Sequence, residues 1–453
     1  MTAIVFGLAS QSPRQEAGMA TVAPDQKSVF LMREESGLLF MPSSILNIMT
    51  ATFFKGKAPT EDLKRRTTEV VLANPWLACR LRKQVDPSDK KKKVAMVYDA
   101  QPKLEAIVAD HYREYSVADV QGDSTLSDID VSQTYEVICK AACKSDAMLV
   151  AGSKCVGKNE PQFRVTVVPS ADGERFTLLV SISHVIADGY TYYEILNLLS
   201  LNAPMKVLNP VRKAGFTQSL EAALGKKESN FPMSPGYMCN AIGNMMFGSK
   251  PKIRARFIDQ DKVAAVKARE AGSSVPFVST NDIVTSEFGK LTRTNVLEMA
   301  IDMRDRLPGY TKADAGNLEF ALYYRPEDFA TPSLIRQSIS SKDGKLGRCC
   351  TGSSTKLPGF WSASRKRIAL ITNWSSNHSG QCVLGDGCTQ ELHLPIYTQV
   401  PLEAGIVFKP TPGSLGLIHW QRPIKKSALQ TSQGDQGGDS IFGELISDRV
   451  FSN

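Results

Sequence analysis

Residues 176–189 read Phe-Thr-Leu-Leu-Val-Ser-Ile-Ser-His-Val-Ile-Ala-Asp-Gly: an apolar run that ends in His184 and then Asp188-Gly189. Phe176 to Ile182 is β-rich and reads as a strand. A second such run, Phe163 to Val168, lies upstream, with Ser170-Ala171-Asp172-Gly173 between the two. An Asp-Gly turn flanked by two β-rich runs predicts a hairpin. Downstream, Tyr190 to Leu201 carries helical spacing at Leu196 and Leu199. His184 therefore stands on a turn between a strand and a helix, where a side chain can face a cleft and act as a general base. Gly189 admits backbone angles closed to other residues and suits a tight turn. A core histidine with a satisfied hydrogen bond is the competing reading, and a pattern this short also arises by chance.

Further elements are read outward from this hairpin. Ile45 to Phe54 and Thr60 to Leu72 show helical apolar spacing, the second opening at Thr60-Glu61-Asp62 and stopping at Asn74-Pro75. Residues 83 to 93 read as a polar loop. Its basic run Lys90 to Lys93 follows the turn signal Asp86-Pro87-Ser88-Asp89 and lacks interleaved aromatics. It is taken as a solvated loop in preference to a nucleic-acid patch. Val94 to Tyr98 and Ala147 to Ala151 read as strands, and Gln133 to Lys144 as a helix. Ile253 to Phe257 and Glu298 to Met303 are further strands; Asp259 to Ala271 and Ser279 to Leu291 are further helices. Residues 1 to 27 read as loosely structured. Pro204, Pro210, Gly215, Gly225, Pro232 and Pro235 punctuate a linker. The expected division is 1–205, a linker at 206–235, and 236–453 with a flexible tail near 425–440.

The 453 residues are long enough for two or three domains, and 42% hydrophobic with 22% charged residues is ordinary for a globular chain. Collagen-like, coiled-coil and wholly disordered readings are excluded. No run approaches the roughly 20 apolar residues of a membrane helix. The net charge of +8 is mild for this length and compatible with a small anionic ligand. Nine cysteines, an odd number without a CxxC pair, suggest neither a disulfide framework nor a zinc site. Reduced thiols, and the absence of a convincing signal or transit peptide, point to the cytoplasm, with import into an organelle left open. Five histidines are present, and only His184 has a suggestive setting.

The motif does not stand alone. His184, Asp188 and Gly189 match the HxxxDG signature. Phe277-Val278-Ser279-Thr280-Asn281-Asp282 forms a second block, and Ala300-Ile301-Asp302-Met303-Arg304-Asp305-Arg306-Leu307-Pro308 with Gly316-Asn317 a third. Ile371-Thr372-Asn373-Trp374 and Asn74-Pro75-Trp76-Leu77 add two more. In order and spacing these resemble the CoA-dependent acyltransferase superfamily: BAHD acyltransferases, chloramphenicol acetyltransferase, carnitine acyltransferases and condensation domains of peptide synthetases. The likeness spans roughly residues 28 to 422, and its tone is similar to trichothecene O-acetyltransferase-like enzymes. One departure stands out: in place of the family's DFGWG segment the chain has Leu384-Gly385-Asp386-Gly387.

The resemblance implies an α/β fold of two chloramphenicol-acetyltransferase-like lobes, with mixed, mostly antiparallel sheets and a central channel. It implies transfer of an acyl group from a CoA thioester to an acceptor hydroxyl, or amine, without a covalent acyl-enzyme, metal or bound cofactor. His184 is then the base, and Thr372 and the Trp374 indole are the oxyanion donors. Asp188 pairs with Arg304, faces away from the channel and, with Gly189, aims the catalytic turn. Ser279, Thr280, Asn281, Asp282 and Asn317 are placed along the pantetheine, with a helix cap as the alternative for the first four. Lys250, Lys252, Arg254, Arg256, Lys262 and Lys267 read as a solvated face that has the right chemistry for CoA phosphates. The expected partners are acyl-CoA and a small alcohol or amine, not nucleic acid, with the chain monomeric and tied to secondary metabolism. The other readings are a condensation-type enzyme using carrier-protein thioesters, set second because no carrier or adenylation domain is read in the chain, and a catalytically silent ligand-binding homologue.

Overall fold

The computed structural model describes residues 25–41, 46–272, 274–340, 343–353, 355–378, 380–397, 400, 402–423, 440–447 and 450–451. Two α/β lobes are built on mixed sheets. In the first lobe a five-stranded sheet runs in the order Thr389–Pro395, Asn47–Lys55, Arg175–Ser183, Phe163–Pro169, Tyr112–Glu114. Its centre is the hairpin, antiparallel from Phe163↔Ile182 to Pro169↔Phe176. In the second lobe a seven-stranded sheet runs Glu319–Tyr324, Val296–Asp302, Ile368–Asn373, Glu403–Phe408, Gly416–Gln421, Lys252–Ile258, Phe442–Leu445. Parallel pairing occurs where Ile368–Asn373 sits between two neighbours and at Tyr112–Glu114; the other pairings are antiparallel. A three-stranded sheet, Gln26–Phe30, Lys92–Asp99 and Arg80–Val85, flanks the first lobe.

Several expectations are corrected. The segment read as a helix, Ile45 to Phe54, is the strand Asn47–Lys55. Its residues are buried on both faces, and a strand buried on both faces shows no alternation by which to tell it from a core helix. The loop at 83–93 is the tip of a hairpin in which Val85 pairs with Lys92. There Lys93 bridges Asp86 at 2.7 Å and Asp89 at 2.8 Å, so the last lysine of the basic run closes the turn. Ala147 to Ala151 is not a strand; its role is to receive side chains, Ser181 Oγ donating to Ala147 O and Asn47 Nδ2 to Leu149 O. Within the stretch expected to be loose, Gln26–Phe30 is an edge strand held by Lys92–Asp99; residues 1–24 lie outside the described residues, as do residues 425–439 of the expected tail.

The lobes are not two consecutive pieces of chain. Thr389–Pro395, from the second half, pairs with Asn47–Lys55 and closes one edge of the first-lobe sheet. That edge would otherwise present unpaired backbone groups. The large first core accordingly mixes Ile48, Phe54 and Val180 with Trp374, Ile406 and Trp420, and a second core of Phe288, Met299, Ile335 and Leu417 fills the other lobe. The segment 206–235 contains the helix Phe216–Leu224. Before that helix it lies against the second lobe, with Asn209 bridged to Asp314 and Arg212 donating to Ala315 O at 3.2 Å.

Candidate active site

The strand Arg175–Ser183 ends on Ser183, and the chain turns through 184–188 into the helix Gly189–Leu198. Asp188 is the N-cap of that helix, one carboxylate oxygen accepting from Thr191 N at 2.8 Å. An acidic cap satisfies an orphan N–H and suits the positive end of the helix dipole. The other oxygen accepts from Leu318 N at 2.8 Å and from Arg304 Nη1 at 2.8 Å. Both charged side chains are fully enclosed. Burial alone would raise the Asp188 carboxyl, but the Arg304 guanidinium and the two backbone donors outweigh it and hold it below its ordinary value. Arg304 is itself engaged on every side, by Asp302 at 2.9 Å, Thr191 Oγ1 at 3.0 Å, Asp314 O at 2.8 Å and Gly316 O at 3.0 Å. The pair joins the first-lobe turn to the second lobe.

The His184 backbone N–H donates to Leu46 O at 2.7 Å, and Asn317 holds both its ring and its carbonyl. Asn317 Nδ2 donates to the His184 carbonyl at 2.6 Å, and Asn317 Oδ1 lies 2.9 Å from His184 Nδ1. A carbonyl only accepts, so the amide nitrogen must face it, and the amide oxygen must face the ring. The ring nitrogen that meets that oxygen must carry the proton. Nδ1 is therefore N–H, and in the neutral imidazole Nε2 has the free lone pair. Asn317 was expected along the pantetheine; the structure commits its amide to the imidazole instead. Its backbone is fixed too, Asn317 N donating to Glu35 Oε1 at 3.1 Å.

Gly316, the residue before it, has φ +128°, and a Cβ there would lie 2.9 Å from Arg212 Cζ. Arg212 pairs with the buried Glu35 at 2.8 Å and donates to Ile186 O at 2.8 Å, inside the catalytic turn. Glu35, Arg212 and Thr191 were not anticipated. Glu35 lies in Arg33-Glu34-Glu35, which reads as a solvated stretch, and its partner is 177 residues away. Glu319 was also missed. Its carboxyl stands 3.6 Å from His184 Nε2, the nitrogen left free by Asn317, and its side chain keeps 31% exposure. Burial pushes it up to about 7, against the pull of His184. A glutamate opening an otherwise apolar strand two residues after Asn317 was the available signal.

The remaining expected residues fall into two groups. Ser279 and Asp282 form a capping box on the helix Thr280–Thr292. Asp282 is buried and also takes Arg336 Nε at 2.7 Å, so these two side chains are engaged within the protein. Thr280 and Asn281 are half-buried at the same helix start, with Asn281 Oδ1 accepting from Asn373 Nδ2 at 3.0 Å. Thr372 is half-buried on Ile368–Asn373, and Trp374 follows it. Trp374 Nε1 comes within 3.3 Å of where a Cβ on Gly189 would stand, so the missing side chain admits the indole to the motif. The other histidines have structural settings: His393 lies between Thr52 and Tyr193, His378 stacks on Tyr193, His111 bonds Phe163 O, and His419 bonds Glu403.

No family model matches the chain, and no curated protein matches it. Solved structures do. F. graminearum TRI101 complexed with ethyl coenzyme A aligns with a TM-score of 0.55 at 14% identity, over 90% of this chain and 98% of that one. The first condensation domain of the calcium-dependent antibiotic synthetase, bound to a substrate analogue, gives 0.54 at 11% identity over 89% and 93%. Polyketide synthase associated protein 5 from Mycobacterium tuberculosis gives 0.52 at 13% over 88% and 94%. At these identities the likeness establishes a shared two-lobed fold.

Proposed function

We propose that the protein is an acyl-CoA-dependent acyltransferase that acylates a hydroxyl group of a small molecule. The observation that carries this reading is the Asn317 clamp, which leaves the lone pair of His184 Nε2 free at a position still open to solvent. An alcohol is a poor nucleophile until its proton is removed, and a neutral imidazole of fixed tautomer can remove it. In this reading the acceptor oxygen gives its proton to Nε2 as it attacks the thioester carbonyl. The tetrahedral oxyanion needs preorganised donors, and the resemblance assigns these to Thr372 and Trp374. Collapse breaks the C–S bond, and the imidazolium returns the proton to the departing CoA thiolate. Asp188 and Arg304 hold the turn and take no proton. Thr280 is the member of its block left to meet the pantetheine, since Asn281 is held by Asn373 and Met299. Residues 1–205 bring the base, 236–453 bring its orienting residues, and 206–235 join them.

Support for CoA as donor comes from the fold shared with TRI101 in complex with ethyl coenzyme A. The same fold occurs in condensation domains, so carrier-protein thioesters are the second donor to test. Amines are the alternative acceptors, and Glu319, 3.6 Å from Nε2, offers a carboxyl oxygen to accept from an N–H of a neutral acceptor amine. The test is release of free CoA from acetyl-CoA in the presence of a panel of alcohols and amines. Acceptor-dependent release supports the reading; release from a carrier-bound thioester alone would replace it with condensation chemistry.

A further inference from the structure

The helix Pro235–Phe247 packs Tyr237 and Ala241 against a small core and leaves several of its other apolar side chains exposed. It contains no charged residue, and the residues it buries are Gly236 and Asn240. Ile242, Met246 and Phe247 on it are 48%, 67% and 83% exposed. Asn240 Nδ2 donates to Ala363 O and Lys366 O, both at 2.8 Å. At Gly236 a Cβ would lie 2.6 Å from Phe360 O. These contacts pin the helix against the short helix Phe360–Ala363, whose Trp361 is 70% exposed and meets Phe360 edge to face at 4.9 Å. Exposed apolar residues scattered singly need no explanation, but a grouped patch on fixed elements marks an interaction surface.

The two stretches of chain that build the patch carry charge of one sign. No Asp or Glu occurs between Glu228 and Asp259, or between Asp343 and Asp386. Lys250, Lys252, Arg365 and Lys366 flank the apolar residues and are exposed. Among the described residues none of the four is in an ion pair, and Arg365 lies over the Trp361 ring at 5.6 Å. Glu136, whose field reaches Lys250, is already paired with Lys140 at 2.8 Å. Exposed apolar and aromatic side chains on two packed helices, with exposed cations beside them in sequence, suit a lipid interface, where apolar side chains enter the acyl boundary and Lys and Arg meet anionic headgroups.

We propose that the face built by Pro235–Phe247 and Phe360–Ala363 docks the protein peripherally on an anionic bilayer, with Met246, Phe247 and Trp361 entering the interface. No described helix is long and apolar enough to cross a membrane, so docking is on the surface. The proposal does not depend on the acyl-transfer reading.

The test is co-sedimentation of the full chain with phosphatidylcholine vesicles, with and without phosphatidylserine. Binding should be strong to the anionic vesicles, weak to the neutral ones, and reduced by salt as the cations are screened. The double variant Phe247→Ser, Trp361→Ser should weaken partitioning by about tenfold or more, the scale set by leaving large apolar side chains in water. Arg365→Glu with Lys366→Glu should weaken it similarly. Both variants should keep the wild-type melting temperature and thioester turnover. No binding to anionic vesicles, equal binding to neutral ones, or full binding by the variants would overturn the proposal. So would sedimentation velocity showing a wild-type dimer that the apolar double variant dissociates while vesicles remain unbound, because the face would then belong to a second copy.

Discussion

Asp188→Ala is expected to destabilise the fold as well as lower activity, and the structure sets the size. The carboxylate accepts from Thr191 N, Leu318 N and Arg304 Nη1, each at 2.8 Å, with no solvent access. Removing one partner of a buried ion pair typically costs about 3–5 kcal/mol. Loss of the N-cap accounts for about 1 kcal/mol of the change at the helix start. Arg304 is not stranded, since the partly exposed Asp302 remains 2.9 Å away. That retained partner places the expected loss near 3 kcal/mol, the low end of the range. It is a large share of the roughly 5–15 kcal/mol that separates folded from unfolded protein. Arg304→Ala removes the donor from both Asp188 and Asp302 and should cost at least as much. Thermal melts and urea titrations of both single variants and the double variant form a mutant cycle, in which contacting residues couple by about 0.5–3 kcal/mol. The double variant should lose clearly less than the two singles added. Additive losses, or an Asp188→Ala protein that melts with the wild type, would refute the claim that this pair clamps the turn.

Other outcomes follow from the same geometry. Asn317→Leu should leave CoA binding largely intact and lower turnover by about 10- to 100-fold, the scale for a partner that orients a functional histidine; the ring 15N shifts should show Nε2–H gaining population, and an unchanged Nδ1–H tautomer would contradict the clamp. Glu319 has a folded-state pKa raised to about 7, above its unfolded value. The folded state therefore holds the extra proton, and stability falls as pH rises from the ordinary carboxyl range of about 4.3 toward 7. Glu319→Gln should flatten that slope in melts across this window; a variant with the wild-type slope would show that another group carries it. Gly316→Ala should be strongly destabilised, because a side chain would meet Arg212 at 2.9 Å on a backbone with φ +128°; a soluble variant with unchanged melting would remove the case for that close approach.

Local chemistry made much of the fold readable. The hairpin at 163–183 follows from two β-rich runs around Asp172-Gly173, and Ser279 with Asp282 announces a capping box from a four-residue spacing. Asn47–Lys55 was misread because burial on both faces erases the alternation that marks a strand. Thr389–Pro395 joining the other lobe was not legible, since strand pairing across more than three hundred residues leaves no local trace. The site divides in the same way. His184, Asp188 and Arg304 were legible as motif residues, whereas Glu35 and Arg212 look like surface charges until the chain brings them together. Asn317 was noticed without its contact to His184, because sequence order does not say which way an amide faces. Glu319 acquires its meaning from the position of His184 Nε2, which only three dimensions provide.

The central claim is that His184 Nε2 activates an acceptor against an acyl-CoA thioester. Its most direct test is release of free CoA from acetyl-CoA across an acceptor panel, comparing wild type with His184→Ala at equal folded concentration. The account expects acceptor-dependent release by the wild type and a loss of about 10²- to 10⁴-fold in the variant, the range for removal of a general base, with melting nearly unchanged. A folded His184→Ala protein that retains near-full turnover would contradict it.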